Sequence, residues 1–399
     1  MEQSLHKTAR DSRPRSIPRT TPRLFVVSPS TPERELQPAV HGRMEALDGL
    51  RAASIVVVLF AHGSQTANAP HALQPMAQLG VFGVEVFFAI SGFIITLLLI
   101  RERRSTAHID LAAFWKRRAW RILPPFFAAC AGLYLAAACG LFQWSWSSFI
   151  GAATFTKNTP LFDGGWFFGH FWSLSMEEQF YLFWPLVFVW TRTLHRAAIV
   201  LGITLAAGPL IAAFAPPAIE WSLPFVPVLA AGCLFAVLIE LRPGWLLRYA
   251  QRRHLRLVLL CLVLAATVPV AYWRHRALWP GLTIPLNAAL VPCACMLVLM
   301  ESTFASGWLR RVLSKPAMVW LGRISYSLYL WQQLFMGAPS AYLKHWVWAQ
   351  WPLNIGMAVI CGALGYLLIE KPAQRLSAAS RRKVGSVNRS TSEPARMAL

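Results

Sequence analysis

The chain has 399 residues, of which 56% are hydrophobic and 14% charged, and its formal net charge is +21. A soluble globular domain has about 25% charged residues, so this composition excludes an ordinary soluble enzyme and indicates a membrane protein. The Lys and Arg residues lie between apolar runs and not on a separate polar module, which argues against a nucleic-acid-binding protein.

The N-terminal segment 1–44 is rich in Arg, Pro, Ser and Thr and has no apolar core of signal-peptide length, which predicts a disordered, basic cytoplasmic tail. We then predict an all-α, polytopic integral membrane protein with about ten transmembrane helices over residues 45–375, since a membrane crossing needs about 20 apolar residues. A second basic cytoplasmic tail covers 376–399. The ten apolar runs are 48–67, 79–100, 119–141, 172–191, 197–214, 224–241, 255–273, 282–301, 317–337 and 352–369.

The distribution of Lys and Arg predicts the orientation, because cytoplasmic loops are enriched in both residues. With the N-terminus inside, the four inner loops 101–121, 191–196, 242–256 and 302–316 hold seventeen basic residues, whereas the five outer loops hold four. This contrast supports ten spans with both termini in the cytoplasm. We expect the protein in the bacterial cytoplasmic (inner) membrane.

The first predicted span carries the ionisable residues Arg51 and His62 in its interior. They are eleven residues apart, which puts them within about 20° of one helix face and about 16 Å apart along the axis. We therefore expect both to face one cavity. Imidazole has an unperturbed pKa of about 6.5, so His62 is a candidate general base. The alternative is that His62 only hydrogen-bonds a neighbouring helix.

The next two spans also carry charged residues. Glu85 lies among aromatic residues of the second span, and because a lipid-facing carboxylate is costly, it should face the protein interior. A structural ion pair is the alternative for Glu85. The stretch FWKRRAWRILPPFF places Arg117, Arg118 and Arg121 at the cytosolic mouth of the third span. Arg118 and Arg121 share a helix face and could bind phosphate oxygens, although anchoring of the helix explains most such clusters.

The fourth span begins with WSLSMEEQFYLFWP, which crowds Trp172, Ser173, Glu177 and Glu178 near its outer end. Adjacent helical residues point about 100° apart, so we expect only one of the two carboxylates to face a given site, and we favour Glu177. Aromatic and polar side chains together are typical of sugar recognition. Aromatic belts at the membrane interface have a similar composition but do not explain the two Glu residues.

Six segments, in this order, resemble the membrane-bound acyltransferase family three, the O-acyltransferases that modify bacterial surface and secreted glycans. They are LDGLRAASIVVVLFAHG, GVEVFFAISGFIIT, FWKRRAWRILPP, WSLSMEEQFYLFWP, LGRISYSLYLW and LIEKPAQR. The resemblance is distributed over most of residues 45–375. Each segment alone is modest evidence, whereas six in the family's order make the resemblance specific.

The resemblance implies roles for several of these residues. His62 matches the essential histidine of the first helix and Arg51 its partner arginine, while Arg118 and Arg121 match the pair linked to the acyl-CoA donor. Many relatives have a second histidine directly after SLYLW, where this chain has Gln332. His62 is therefore the principal candidate base, or the residue that transiently carries the acyl group.

The expected site combines the residue patterns with this resemblance. We expect His62, Arg51 and Glu177 to be catalytic and Arg117, Arg118 and Arg121 to bind the donor. The motif of the fourth helix contains Trp172 and Ser173, and the motif of the ninth helix contains Ser325, Tyr326 and Tyr329. Those expected substrate-binding residues are Glu85, Trp172, Ser173, Tyr326 and Tyr329.

The expected function is transfer of an acyl group, with acetyl-CoA as the expected donor, to a hydroxyl of an extracytoplasmic or lipid-linked glycan. Acyl-CoA, the glycan and the lipid bilayer are then the partners, with no nucleic acid and no permanently bound cofactor. The seven cysteines lie in apolar runs without zinc-ligand spacing, so no metal site is expected. A solute transporter of the same fold and a non-catalytic scaffold for glycan assembly are the alternatives.

Overall fold

A computed structural model of the chain describes residues 38–66, 68–162, 165–214, 223–275, 279–304, 307–336 and 347–377. Within these residues the chain is helical and contains no β-strand, which confirms the predicted all-α class. Most of the two predicted tails, namely 1–37 and 378–399, lies outside the described residues.

The described residues form fourteen α-helices. In chain order they are α1 (Pro38–Gly63), α2 (Gly80–Thr106), α3 (Leu111–Ala138), α4 (Trp146–Ala153), α5 (Trp166–Gly169), α6 (Phe171–Thr191), α7 (Leu194–Phe214), α8 (Val226–Leu241), α9 (Pro243–Gln251), α10 (Arg253–His275), α11 (Pro280–Phe304), α12 (Trp308–Leu313), α13 (Pro316–Phe335) and α14 (Leu353–Gly365). A π-helical segment, Tyr366–Glu370, follows α14. Short 3₁₀ segments cover His71–Leu79, Leu223–Phe225 and Val347–Ala349.

Six helical segments of the described chain are long and apolar enough to cross a membrane, which makes this a multi-pass membrane protein. They are Glu45–Gly63, His71–Thr106, Leu111–Ala138, Leu194–Phe214, Pro280–Thr303 and Leu353–Ser377. Two shorter apolar helices cover Val226–Leu241 and Arg256–Val270. The count of about ten spans and the orientation stay predictions.

Helices α6 and α13 coincide with the predicted spans 172–191 and 317–337 and contain 21 and 20 residues. They are long enough to cross a membrane but are not among the six segments that are both long and apolar enough. The reason is their content of Ser, Glu, Gln and Tyr side chains, many of which face the interior of the protein.

The helices extend past two of the predicted boundaries. Helix α1 begins at Pro38, inside the expected tail 1–44. The predicted inner loop 101–121 is a connection of only four residues, because α2 continues to Thr106 and α3 begins at Leu111. The Asp110 carboxylate caps α3 by accepting a hydrogen bond from the backbone of Ala113 at 2.9 Å. Hydropathy predicts which residues lie within the bilayer, whereas a cap such as Asp110 determines where a helix starts.

Helices α2 and α8 cross with their backbones in contact at two glycines. A Cβ atom on Gly92 would lie 2.2 Å from the Leu229 carbonyl oxygen, and one on Gly232 would lie 2.0 Å from the Ala89 carbonyl oxygen. Small residues allow this close approach in membrane proteins. The crossing fixes α2 beside α8 and turns the other side of α2 toward α1 and α6.

Candidate active site

Helices α1, α2, α3, α6 and α13 border a cavity with about 870 Å³ of empty space, including part that is open to solvent, here called the arginine cavity. Each of the five helices contributes at least one polar side chain to its lining. The polar residues that line it are Arg51, Ser91, Arg118, Arg121, Ser173, Glu177, Glu178, Tyr181, Ser325, Tyr326 and Tyr329.

The Glu177 carboxylate is the centre of a hydrogen-bonded cluster in this cavity. The hydroxyls of Ser91 on α2 and Tyr181 on α6 both donate to the same oxygen of Glu177. Glu177 and Tyr181 are one helical turn apart, and the hydroxyl of Tyr181 is also 3.1 Å from that of Ser91. Two donors on one oxygen hold this carboxylate in a fixed orientation.

Glu178 also lines the arginine cavity, so the expectation that only one of the two adjacent carboxylates faces the site is wrong. The cavity extends around more than one face of α6 because α2, α3 and α13 all border it. One carboxylate oxygen of Glu178 is buried and has no hydrogen-bond partner among the described residues.

Three guanidinium groups, those of Arg51, Arg118 and Arg121, line the same cavity. Arg118 lies over the ring of Tyr181, with its guanidinium carbon 5.1 Å from the ring centroid. In the described part of the chain, none of the three forms a direct ion pair with a carboxylate. Their charges face the cavity, which suits it to an anionic ligand.

Two carboxylates lie within electrostatic range of Arg51 and Arg121. One is Asp48, which pairs with Arg323 at 3.6 Å. The other is Glu370, a buried residue of the LIEKPAQR segment that accepts a hydrogen bond from Ser327 Oγ at 2.6 Å. Their negative charges partly offset the repulsion between the arginines and so help to keep these cations together.

A second cavity, here called the histidine cavity, lies between α1, the start of α2, the junction of α5 with α6, and α13. It has about 770 Å³ of empty space, including part that is open to solvent. The polar and aromatic residues that line it are His62, Gln65, Trp166, His170, Trp172, Tyr329 and Gln333.

His62 lies edge-on to the indole ring of Trp166, with 6.0 Å between ring centroids. Its Nδ1 atom is buried and has no hydrogen-bond partner in the described residues. Gln332, at the position where many relatives have a histidine, is fully buried beside His62. Neither amide atom of Gln332 makes a hydrogen bond of ordinary geometry in the part of the chain that the structure describes.

Tyr329 and Val84 line both cavities and are here called the shared wall. The hydroxyl of Tyr329 donates to the backbone carbonyl of His170 at 2.8 Å and lies 2.6 Å from Ser173 Oγ. Ser173 Oγ is also 3.1 Å from that carbonyl. We expected Arg51 and His62 to face one cavity; among the described residues they instead line two different cavities, which meet at the shared wall.

The predicted site residues are thus brought together, with two exceptions. Glu85 is buried within α2 near Cys295 and lines neither cavity. Arg117 points away from the arginine cavity and pairs with Glu102 at 2.8 Å. The roles of all the expected site residues in catalysis and binding stay predictions.

Several residues that line the two cavities were not predicted. His170 lies two residues before the WSLSMEEQFYLFWP segment and, as a lone histidine, carries no sequence signal of its own. Ser91 of α2 was not among the expected site residues, yet its hydroxyl donates a hydrogen bond to Glu177. Gln333 resembles any polar residue of an amphipathic helix until α13 places it in the histidine cavity.

Comparison with known proteins identifies a family over most of the chain. A family model described as "Acyltransferase domain" matches residues 44–369. The chain is similar to "O-acetyltransferase OatA" of Staphylococcus aureus strain NCTC 8325, at 24% identity over 385 residues, which cover 83% of this chain and 57% of that protein.

Two further relatives have comparable similarity. "Putative peptidoglycan O-acetyltransferase YrhL" of Bacillus subtilis strain 168 is 25% identical over 376 residues, covering 83% of this chain and 55% of that protein. "Putative O-acetyltransferase SAS0844" of S. aureus strain MSSA476 is 25% identical over 370 residues, covering 83% and 57%. The chain therefore spans little more than half the length of these relatives. No solved structure matches it.

Proposed function

The chain belongs to the acyltransferase family whose model matches residues 44–369, and from this premise we propose that it is a membrane-embedded O-acyltransferase. It transfers an acyl group, here acetyl, from cytosolic acyl-CoA to a hydroxyl of an extracytoplasmic or lipid-linked glycan. The observation that best supports this proposal is the pair of cavities on the two sides of Tyr329, one lined by three arginines and the other by two histidines.

The arginine cavity is the donor site in this proposal. Arginine forks bind phosphate oxygens bidentately, and the guanidinium groups of Arg51, Arg118 and Arg121 are free of direct carboxylate partners among the described residues. These groups hold the anionic part of acetyl-CoA, and its thioester extends toward Tyr329.

The histidine cavity is the acceptor site, and the chemistry takes place at the shared wall. His62 accepts the proton of the acceptor hydroxyl, and the hydroxyl oxygen forms a bond to the thioester carbonyl carbon. The bond from carbon to sulfur breaks, and the departing thiolate takes up the proton from His62. The products are the acetyl ester and free CoA.

The orientation follows from the same assignment. Arg51 lies nearer the start of α1 and His62 near its end, so a cytoplasmic N-terminus places the arginine cavity toward the cytosol, where acetyl-CoA is available. The histidine cavity then faces the outer side of the cytoplasmic membrane. One relative is named for peptidoglycan, which makes a cell-wall glycan the first acceptor to test.

The proposal is tested with purified protein in lipid vesicles that are supplied with labelled acetyl-CoA and glycan extracted from a deletion strain. We expect acetyl ester on the glycan and release of an equal amount of CoA. A vesicle preparation that moves a solute but forms no ester and releases no CoA would instead favour the transporter. If ester formation in cells persists after Arg118, Arg121 and His62 are all replaced, the chain is a scaffold.

A further inference from the structure

We propose that the side chain of His170 binds the acceptor in the histidine cavity, by hydrogen bonding a hydroxyl next to the one that reacts. This inference rests on the proposed function and assigns it a further substrate-binding residue. The acceptor must then be a polyhydroxylated ring, because His170 can bind only if a second hydroxyl lies next to the reacting one.

The first observation is that the His170 ring is buried and lacks hydrogen-bond partners among the described residues. Only 4% of the residue is exposed, and neither ring nitrogen has a hydrogen-bond partner of ordinary geometry in the described chain. The backbone of Leu330 lies near the ring but outside that geometry. A buried polar group without a partner is costly, so two such atoms on one side chain point to a ligand that completes them.

The second observation is the position of the ring. His170 lines the histidine cavity together with His62, and the two imidazoles are close enough to interact electrostatically. The His170 ring also lies edge-on to Tyr329, with 5.3 Å between ring centroids. His170 thus stands beside both the proposed base and the shared wall, where an acceptor hydroxyl must lie to meet the thioester.

The third observation is the chemistry of the rest of the cavity. Trp166 and Trp172 supply aromatic faces that can pack against the apolar face of a sugar ring. Gln333 contributes a buried carbonyl oxygen without a partner among the described residues, which can accept a hydrogen bond from a further hydroxyl. A neutral imidazole has one donor and one acceptor, and a hydroxyl has the same pair.

The side chain of His170 can be replaced without removing the hydrogen bonds that position Tyr329 in the shared wall. The hydrogen bonds from Tyr329 and the approach of Ser173 both involve the backbone carbonyl of residue 170, which every substitution keeps. A change in acceptor binding in a His170 variant can therefore be separated from loss of the wall.

The test compares His170→Phe, His170→Gln and the control His195→Phe, which replaces an exposed histidine on α7. Each protein is purified in nanodiscs, its affinity for acetyl-CoA is measured, and ester formation is followed at increasing concentrations of glycan extracted from a deletion strain. We expect His170→Phe to raise the apparent KM for glycan by about tenfold or more, since a hydrogen bond to the substrate is lost.

The affinity of His170→Phe for acetyl-CoA should stay within about twofold of the wild type, because the donor binds on the other side of Tyr329. His170→Gln should recover part of the affinity for the acceptor, because its amide can also form hydrogen bonds. An unchanged KM for glycan in His170→Phe, or an equal loss of donor and acceptor affinity, would overturn the assignment. If the wild-type protein forms no ester and binds no acetyl-CoA, the proposed function itself fails, and this inference fails with it.

Discussion

The hydroxyl of Tyr329 and the backbone carbonyl of His170 are joined by a hydrogen bond of 2.8 Å that crosses from α13 to the junction of α5 with α6. This bond holds an aromatic ring between a cavity lined by arginines and a cavity lined by histidines. The position of the ring decides whether the two cavities stay separate, so the catalytic assignment depends on it.

Tyr329→Phe should therefore weaken both stability and transfer. The substitution removes one hydroxyl from its contacts with His170 and Ser173, and we expect a loss of about 1 kcal/mol of stability, typical of one hydrogen bond. The ring becomes free to shift, which should lower the rate of ester formation. Thermal unfolding in detergent and labelled acetyl transfer measure the two effects. Tyr134→Phe, at a half-exposed position, is the control and should change neither.

The lining of the arginine cavity predicts that loss of one arginine weakens binding of acetyl-CoA. Arg121→Gln removes a guanidinium fork that faces the cavity and should raise the KM for acetyl-CoA by about tenfold or more, as expected for a charge-assisted hydrogen bond of about 1.5–3 kcal/mol. Arg121→Lys should recover only part of this loss, because an ammonium group cannot bind bidentately. Initial rates at varied acetyl-CoA concentration measure the effect.

The control for this prediction is Arg310→Gln on α12, a residue that lines neither cavity. Arg117→Gln breaks the pair with Glu102 and should raise the KM by less than Arg121→Gln does. If Arg117→Gln had the larger effect, the donor site would not be the arginine cavity.

The cluster around Glu177 predicts non-additive effects. Ser91→Ala and Tyr181→Phe each remove one of the two donors to the same carboxylate oxygen and should lower the rate of transfer. Once Glu177→Gln is present, the two substitutions should have little further effect, because the group they orient is gone. A double-mutant cycle on transfer rates measures this coupling. Fully additive losses would show that Ser91 and Tyr181 act independently of Glu177.

The glycine contact between α2 and α8 predicts a stability effect unrelated to chemistry. In Gly92→Ala the new methyl group meets the Leu229 carbonyl, so the helices must separate, at a cost of about 1–3 kcal/mol. Gly202→Ala on α7 is the matched control, because no atom lies within 4 Å of its added methyl group. Thermal inactivation should occur at a lower temperature in the first variant only. Equal stability of both would contradict the close crossing.

Much of the fold could be predicted from the sequence, because apolar runs of bilayer length can be recognised without tertiary information. In its described residues, each of the ten predicted segments overlaps a helix of the structure. The ends could not be predicted as well. The connection between α2 and α3 is set by the Asp110 cap and by the Glu102 carboxylate, which accepts from the backbone of Asp110 at 3.0 Å. Hydropathy does not report such local contacts.

The residues that share one helix face of the site could be predicted from the sequence, whereas the contacts between helices could not. Helical spacing along one element is visible in a sequence, so Arg118 and Arg121 could be assigned to one face, and both line the arginine cavity. Contacts between helices are not visible. Nothing on α1 indicates that Tyr329 of α13 divides the space between Arg51 and His62. The aromatic surroundings of Glu85 likewise suit the buried core of α2 as well as a substrate site.

The central claim is that His62 takes the proton of the acceptor hydroxyl, and the most direct test is labelled acetyl transfer to glycan by His62→Gln in membranes of a deletion strain. His195→Gln, expressed and inserted to the same level, is the matched control. General-base catalysis contributes about 10²–10⁴-fold, so His62→Gln should retain at most about one hundredth of the wild-type rate. Transfer by His62→Gln at the rate of the His195→Gln control would contradict the account.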